Sequence, residues 1–493
     1  MRITTSALLI LGPSIILSGC REIRETEPAA SSSGNTSAGS WGSGGGAGGD
    51  AVGGGGAGGS GGSPPAEEAW HRQISGPDME DAMALAIDSG ANVVLAGSSR
   101  GAADFGAGAT PLAGFEDLFI AKYADDGVLR WVHRFGGSLV TATGIAVDAN
   151  DGIAVVGHIS SGPLEAGDLS LDEPERNDIF VLALDRAGAP RWMHRLGGAG
   201  FDFGGRVATG PDDDIVVAAQ SEGRLTLARF AADGTARFAR DLGHLSGYAS
   251  SFAPIGGVAV DLHGDILVAG NFSGGADLGG GAITGLRGDQ AWVAKYSGED
   301  GAHVWSRHFG APEDHGMGLG DKAQTLLVDE RGDVLIAGQF AVGADLGEGP
   351  IGEPGGAFLA KLAGEDGAVR WAKPLPAAGV VSTSLSFTPD GRVALIASLR
   401  APFDLGGGTV DERGSYMATY EPTTGAFVAQ RRIVEVGTMI SDTQNGFFGM
   451  GASAIDAKGN LAIVTSFYEE AQTGFGALKS EGWGDILLAH LPL

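Results

Sequence analysis

DLFIAKYADDGVLRWVHRFGG, residues 117–137, is the stretch that decides how this chain is read. Asp117 to Tyr123 alternates around Phe119 and Ile120, Asp125-Asp126-Gly127 supplies turn chemistry, and Arg130 to Phe135 is a second strand ending at paired glycines. Two strands and a turn make half of a four-stranded blade. Copies of the unit recur to the C-terminus.

Working outward, an apolar run follows a Gly, Asp or Asn turn at 92–97, 153–157, 214–219, 265–270, 333–338, 392–397 and 460–464, seven times. Each is a second strand, preceded by an alternating first strand to form a hairpin. A loop centred on Asp104-Phe105-Gly106, Asp277-Leu278-Gly279, Asp345-Leu346-Gly347 or Asp404-Leu405-Gly406 comes next. Third strands follow at Asp117, Asp178, Leu225, Gln290, Ala357, Ser415 and Asp485, so the period is about 60 residues. Fourth strands follow only six of the seven. The missing one lies at the other end, where Ala69-Trp70-His71-Arg72-Gln73-Ile74-Ser75-Gly76 matches Arg130-Trp131-Val132-His133-Arg134-Phe135-Gly136-Gly137 register for register. A ring in which an N-terminal strand completes the last blade removes the open edges of a linear array. The expectation is an all-β, seven-bladed β-propeller over residues 66–493. The count is open by one, because the third repeat is shortened around 221–228.

The 493 residues carry a formal charge of −28, which opposes nucleic-acid binding, since phosphate contacts need clustered Lys and Arg. The single cysteine excludes an internal disulfide. Residues 1–19 combine Arg2, a short apolar run and small residues, and read as a signal peptide. Leu17-Ser18-Gly19-Cys20 resembles the lipobox of bacterial lipoproteins, and the resemblance implies lipidation at Cys20 and a stable membrane anchor. Arg21, where Asp would favour retention at the inner membrane, points to the outer membrane, facing the periplasm or the cell surface. Residues 20–65 form the lipidated N-terminus and a Gly/Ser-rich linker. Its 31–65 stretch spans about 30 Å as a coil and about 120 Å when stretched. No strand leads into those glycines and no Lys-Ser/Thr follows, so they are not a phosphate loop.

The pattern of apolar hairpin, Asp-Phe/Leu-Gly, Asp-x-Phe-x-Ala-Lys-Tyr, Asp-Gly and Trp resembles the bacterial β-propeller repeat (SBBP-like) family, often exported lipoproteins, over residues 69–493. The resemblance implies a propeller outside the cytoplasm and carries no catalytic residues.

Several motifs are weighed on their own. Outer strands place a basic or imidazole group between apolar anchors, as in Trp131-His133-Phe135 and Trp305-Arg307-Phe309, six times. A feature of nearly every blade reads as architecture rather than a site for an acidic partner. Asp125-Asp126-Gly127, the 148–152 turn and Asp212-Asp213-Asp214 lack the twelve-residue calcium loop and read as turns. The ten histidines have no zinc spacing, and no nucleophile elbow is present, so no catalytic residue, metal or cofactor is assigned. Insertions at 245–255, 315–321, 434–450 and 469–480 are candidate contact loops.

The leading expectation is a monomeric, non-enzymatic binding or scaffold module for a protein or glycan partner. One alternative is a polysaccharide hydrolase or lyase with a site at the channel mouth, for which His315 and Asp321 are the nearest candidates. Another is an outer-membrane assembly lipoprotein, because 300–305 and 421–425 resemble the Asp-x-x-Thr-Gly-x-x-x-Trp repeats of quinoprotein-like propellers.

Overall fold

The structure, a computed structural model, describes residues 69–493 apart from 113, 137–138, 247–254, 285–287, 312–319, 348, 352–354, 435–449, 469 and 474. The signal peptide, Cys20 and the linker lie outside the described residues. What is described is a closed ring of seven antiparallel blades with no helix among the described residues. In the first blade the strands are Glu80–Ile87, Val93–Ser99, Asp117–Tyr123 and Leu129–Phe135, paired in that order from the inside out. The last blade holds Met450–Ile455, Asn460–Phe467 and Asp485–Pro492, and its fourth strand is Trp70–Ile74. Trp70 lies opposite His490 and Ile74 opposite Ile486, so the N-terminal strand closes the ring as its sequence match requires.

The open count resolves at seven. The shortened third repeat is a complete blade in which Ser221 and Arg224 pair directly across a tight turn. Glu222 and Gly223 occupy that turn with φ of 51° and 77°, the left-handed pair that a two-residue hairpin demands.

Second and third strands are buried on both faces because each blade is sandwiched between two others. The apolar residues accordingly gather between blades. Val94, Leu118 and Ile120 of the first blade pack with Val140, Val155 and Ile159 of the second. Trp70, Ile74 and Leu488 pack with Leu95, Phe119 and Tyr123 across the closure.

Two clasps link consecutive blades at opposite ends. At one end the outer-strand tryptophan sits on the turn between the next blade's third and fourth strands. Trp70 Nε1 donates to Asp125 O at 2.7 Å, Trp192 to Ala232 O at 3.0 Å and Trp305 to Gly364 O at 3.1 Å. The turn residue beneath must be glycine. A Cβ on Gly127 would lie 2.7 Å from Trp70, one on Gly234 2.7 Å from Trp192, and φ at both is positive. At the other end the Asp-Phe/Leu-Gly loop reaches back to the previous outer strand: Ala276 pairs with Leu245, Phe403 with Ala377, and Asp104 with Ser75.

A buried cation in the third strand adds a third link. Lys122, Arg229, Lys295 and Lys361 pair with Asp88, Asp214, Asp261 and Asp329 at 2.6 to 2.9 Å. Each also donates to a carbonyl of the following blade, Lys295 to Gly364 O and Lys361 to Pro422 O at 3.3 Å. Burial opposes the Lys295 ammonium, but Asp261 and Asp265 prevail and hold its pKa above the ordinary lysine value. In the last blade His490 takes this place beside Asp456 at 3.3 Å. The second blade keeps the acid, Asp148, but has Ala183 where the cation belongs. Asp148, Ala183, Arg191 and Ala232 line a small cavity there.

Ala183→Lys is expected to seat an ammonium beside Asp148 and stabilise the domain by on the order of 1 kcal/mol, the net worth of a charged hydrogen bond. Denaturant unfolding checks this; a lowered midpoint would mean the seat is not equivalent to its neighbours. Deletion of residues 69–76 exposes the edge of Asp485–Pro492 and is expected to turn a monomer into aggregates on size-exclusion chromatography. A monomeric product with unchanged melting would contradict closure by this strand.

Candidate functional site

First strands run away from the face that carries the connections into them, and second strands run back to it. The links from outer strand to next first strand, and from second to third strand, therefore emerge on a single face. All four sequence insertions are links of these kinds. The strand ends that flank them, Ser246 and Ile255, Phe309 and Lys322, Val434 and Met450, and Phe467 and Asp485, all lie on this loop face. The chain enters the ring through Trp70 at the opposite face, because the closing strand runs as an outer strand does.

First strands bulge beside the central axis in every blade. The extra residues include Met83, Thr143, Gly256, Gln324 and Gly451, and the third blade bulges across Gly204-Gly205. A bulge turns side chains that would pair with a neighbour towards the channel. Arg206, just past its bulge, ties three inner strands together. Its guanidinium donates to Thr143 O at 2.8 Å in the second blade and to Gly256 O at 3.2 Å in the fourth. Burial lowers its pKa. His158 of the second blade is pushed down to about 4 by burial, so it is neutral near pH 7, and its Nδ1 has no partner among the described residues. Phe203 packs edge-on against its ring.

Three acids occupy equivalent places at the start of first strands. Asp202 accepts from the backbone N–H of Gly198 and Glu222, both at 3.0 Å. Asp321 accepts from Ala311 and Ala341 N–H, both at 2.8 Å. Asp321, one of the two residues offered for a channel-mouth reaction, is thus 3 % exposed and holds two loop backbones together. It also has a counterpart in another blade, which a unique catalytic acid would lack. His315 lies outside the described residues. Glu80 is the third acid, and the exception: only Ser99 Oγ donates to it, at 3.1 Å, and its Oε2 has no partner.

The other sequence candidates take structural places. Outer-strand basic groups join the tryptophan clasp, with Arg72 Nε donating to Gly127 O at 2.8 Å and Arg307 to Asp366 O at 2.8 Å. Turn carboxylates bond their own backbones, Asp148 to the N–H of Asn150 and Gly152, Asp126 to that of Val128. Asp104 does the same with Gly106 and Gly108 while Phe105 is buried. Gly301 and Gly425, in the quinoprotein-like segments, seat Phe238 and Trp371 of the preceding blades. No cluster of three or more metal-ligating side chains occurs among the described residues.

Sequence reading missed three loop-face aromatics. Trp483, Phe115 and Phe201 are 72, 65 and 49 % exposed. The Arg176 guanidinium lies over the Phe201 ring at 4.7 Å. Each ring stands one or two residues ahead of a strand, beside Asp485, Asp117 and Asp202, and that shared position was the available signal.

These features define a closed seven-bladed β-propeller with a decorated loop face. No protein-family model matches the chain, and no curated protein matches it in sequence. Among solved structures it is similar to the Dos1 propeller, at 8 % identity and TM-score 0.43, covering 86 % of this chain and 95 % of that one. It is similar to the polysaccharide lyase Uly1 at 11 % identity and TM-score 0.44, covering 83 % and 89 %. Likeness to a quinohemoprotein alcohol dehydrogenase from Pseudomonas putida is 15 % in identity with TM-score 0.35, and spans 63 % of this chain and 51 % of that enzyme.

Arg206→Lys keeps the charge but cannot bridge two carbonyls with a planar fork. It is expected to cost about 1 to 3 kcal/mol in denaturant unfolding, the penalty for stranding buried polar groups. An unchanged midpoint would show that the inner strands hold without this bridge.

Proposed function

We propose that this protein is a membrane-anchored, extracytoplasmic propeller that acts as a binding or scaffold module for a protein or glycan partner. The contact surface is the loop face. The observation that carries this reading is polarity: the four insertions leave one face, and the chain that leads back towards Cys20 joins the ring at the other. A lipid anchor at Cys20 with a tether of up to about 120 Å would give the propeller the reach to meet a partner. The exposed Trp483, Phe115 and Phe201 support the same face, since large aromatic rings left in water mark contact surfaces more often than chance placement. The engagement of Asp321 by two backbone donors, and the structural employment of the turn carboxylates, favour binding over hydrolysis.

Two measurements test the reading. Protease cleavage of the 31–65 tether on intact cells is expected if the propeller is displayed at the surface; protection until lysis places it in the periplasm. Replacing 435–449 by a short Gly-Ser link, or Trp483→Ala, is expected to reduce capture of envelope glycan or protein at least tenfold with melting unchanged. Cleavage of a polysaccharide by purified 66–493, lost on substitution of one carboxylate, would replace this reading with the enzymatic one.

A further inference from the structure

At the junction between the last and first blades the outer strand, Trp70–Ile74, comes from the opposite end of the chain to the rest of its blade, and it leads into the first blade through residues 75–79. That connector is held on both sides. Trp483 N–H donates to Asp78 O at 2.7 Å, Arg100 N–H to Met79 O at 3.0 Å, and Glu80 N–H to Gly484 O at 2.9 Å. Glu80 begins the innermost strand directly after it and is fully buried.

In the third and fifth blades the equivalent acid is met by two backbone N–H groups. One of those donors belongs to the residue that follows the acid's partner on the second strand: Glu222 for Asp202 and Ala341 for Asp321. In the first blade that residue is Arg100, and its N–H goes to Met79 O in the connector, whereas the Glu222 N–H of the third blade reaches both Phe201 O and Asp202. Glu80 is left with Ser99 alone.

Its surroundings are unfavourable to charge. Asp485 faces it from the last blade's third strand and Asp78 from the connector, while Arg134 on the first blade's outer strand partly compensates. Arg134 is itself shared with Asp117 at 3.2 Å. Asp81, the next residue, turns the other way and accepts from Ser466. Asp485 is the acceptor that holds the closing strand's side: Gln73 Nε2 donates to its Oδ2 at 2.6 Å, with Ser480 Oγ on Oδ1 at 3.0 Å.

We propose that Glu80 is a proton-operated latch on ring closure: neutral, it lets Asp485 grip Gln73 and keeps the connector clamped, and ionised, it sets a second carboxylate against that grip. Burial first, then Asp485 and Asp78, push the Glu80 carboxyl up to about 7, against the opposing pull of Ser99 and Arg134. A carboxyl that binds its proton more tightly folded than unfolded makes the fold less stable as pH rises. The loss runs from the unfolded value near 4.5 to the folded value near 7 and is complete above it. The latch is therefore shut in acid and strained in mild alkali, the reverse of ordinary salt-bridged carboxylates.

The test compares the wild type with Glu80→Gln, which stays neutral in the same space. Melting temperature measured from pH 4.5 to 8.5 is expected to fall in the wild type relative to the variant, with the two converging at the acid end. Hydrogen exchange, corrected for its intrinsic pH dependence, locates the effect. Amides of Trp70–Ile74 are expected to lose protection above pH 7 in the wild type only, while those of Asp289–Tyr296 in the fourth blade do not change. An identical pH profile in the variant would overturn the proposal. So would a loss of protection spread evenly around the ring. Should the variant fail to fold, the wild-type exchange map across pH decides alone.

Discussion

A tryptophan of one blade resting on the turn glycine of the next is the contact on which this ring depends. Fully burying such a ring is worth about 4 to 6 kcal/mol by area, and the indole N–H fixes its direction against a backbone carbonyl. The clasp forces a positive φ on the turn below, so the glycine, the tryptophan and the tight turn are one requirement expressed at three places in each repeat. Where the third blade substitutes Phe238 the contact survives with Gly301 beneath it and the indole bond is lost. Where the last blade has no turn of its own, Arg431 donates instead to Pro492 O at 3.0 Å. The apolar cluster at that interface is built around Ile396, Met417, Leu461 and Ile463, with no outer-strand tryptophan among its residues.

Most of the fold was legible because the elements that repeat are those that the blade needs. The apolar runs announce second strands buried on both faces, the Asp-Gly pairs announce turns, and the displaced copy at Trp70 announces closure. The third blade was harder to read, since its loop collapsed to Glu222-Gly223 and removed the usual spacing. The Asp-Phe/Leu-Gly loops read as loops, but their pairing with the previous blade did not follow from sequence. That pairing is a contact between neighbours in the ring, set by the geometry of the gap rather than by local pattern.

The candidate site was legible in outline and not in detail. Interruptions of the repeat marked where the loops leave the ring, and topology then gathered those interruptions on one face. The chemistry of individual acids stayed hidden. Asp321 and Glu80 look alike in sequence, each an acid ahead of an alternating strand, yet one is met by two backbone donors and the other has an oxygen with no partner. Glu80 receives neither of the two backbone donors, and the Arg100 N–H that could supply one goes to Met79 O.

The unit that repeats in the sequence is out of phase by one strand with the unit that packs in space. Any stretch cut at this phase carries a complete set of joints, a tryptophan for the blade ahead and a glycine turn for the blade behind. Duplication or loss of one such stretch would change the circumference of the ring without requiring a new fastening, because the closing strand at Trp70 accepts whichever copy comes last. A lineage built on this pattern can vary its ring size by simple recombination.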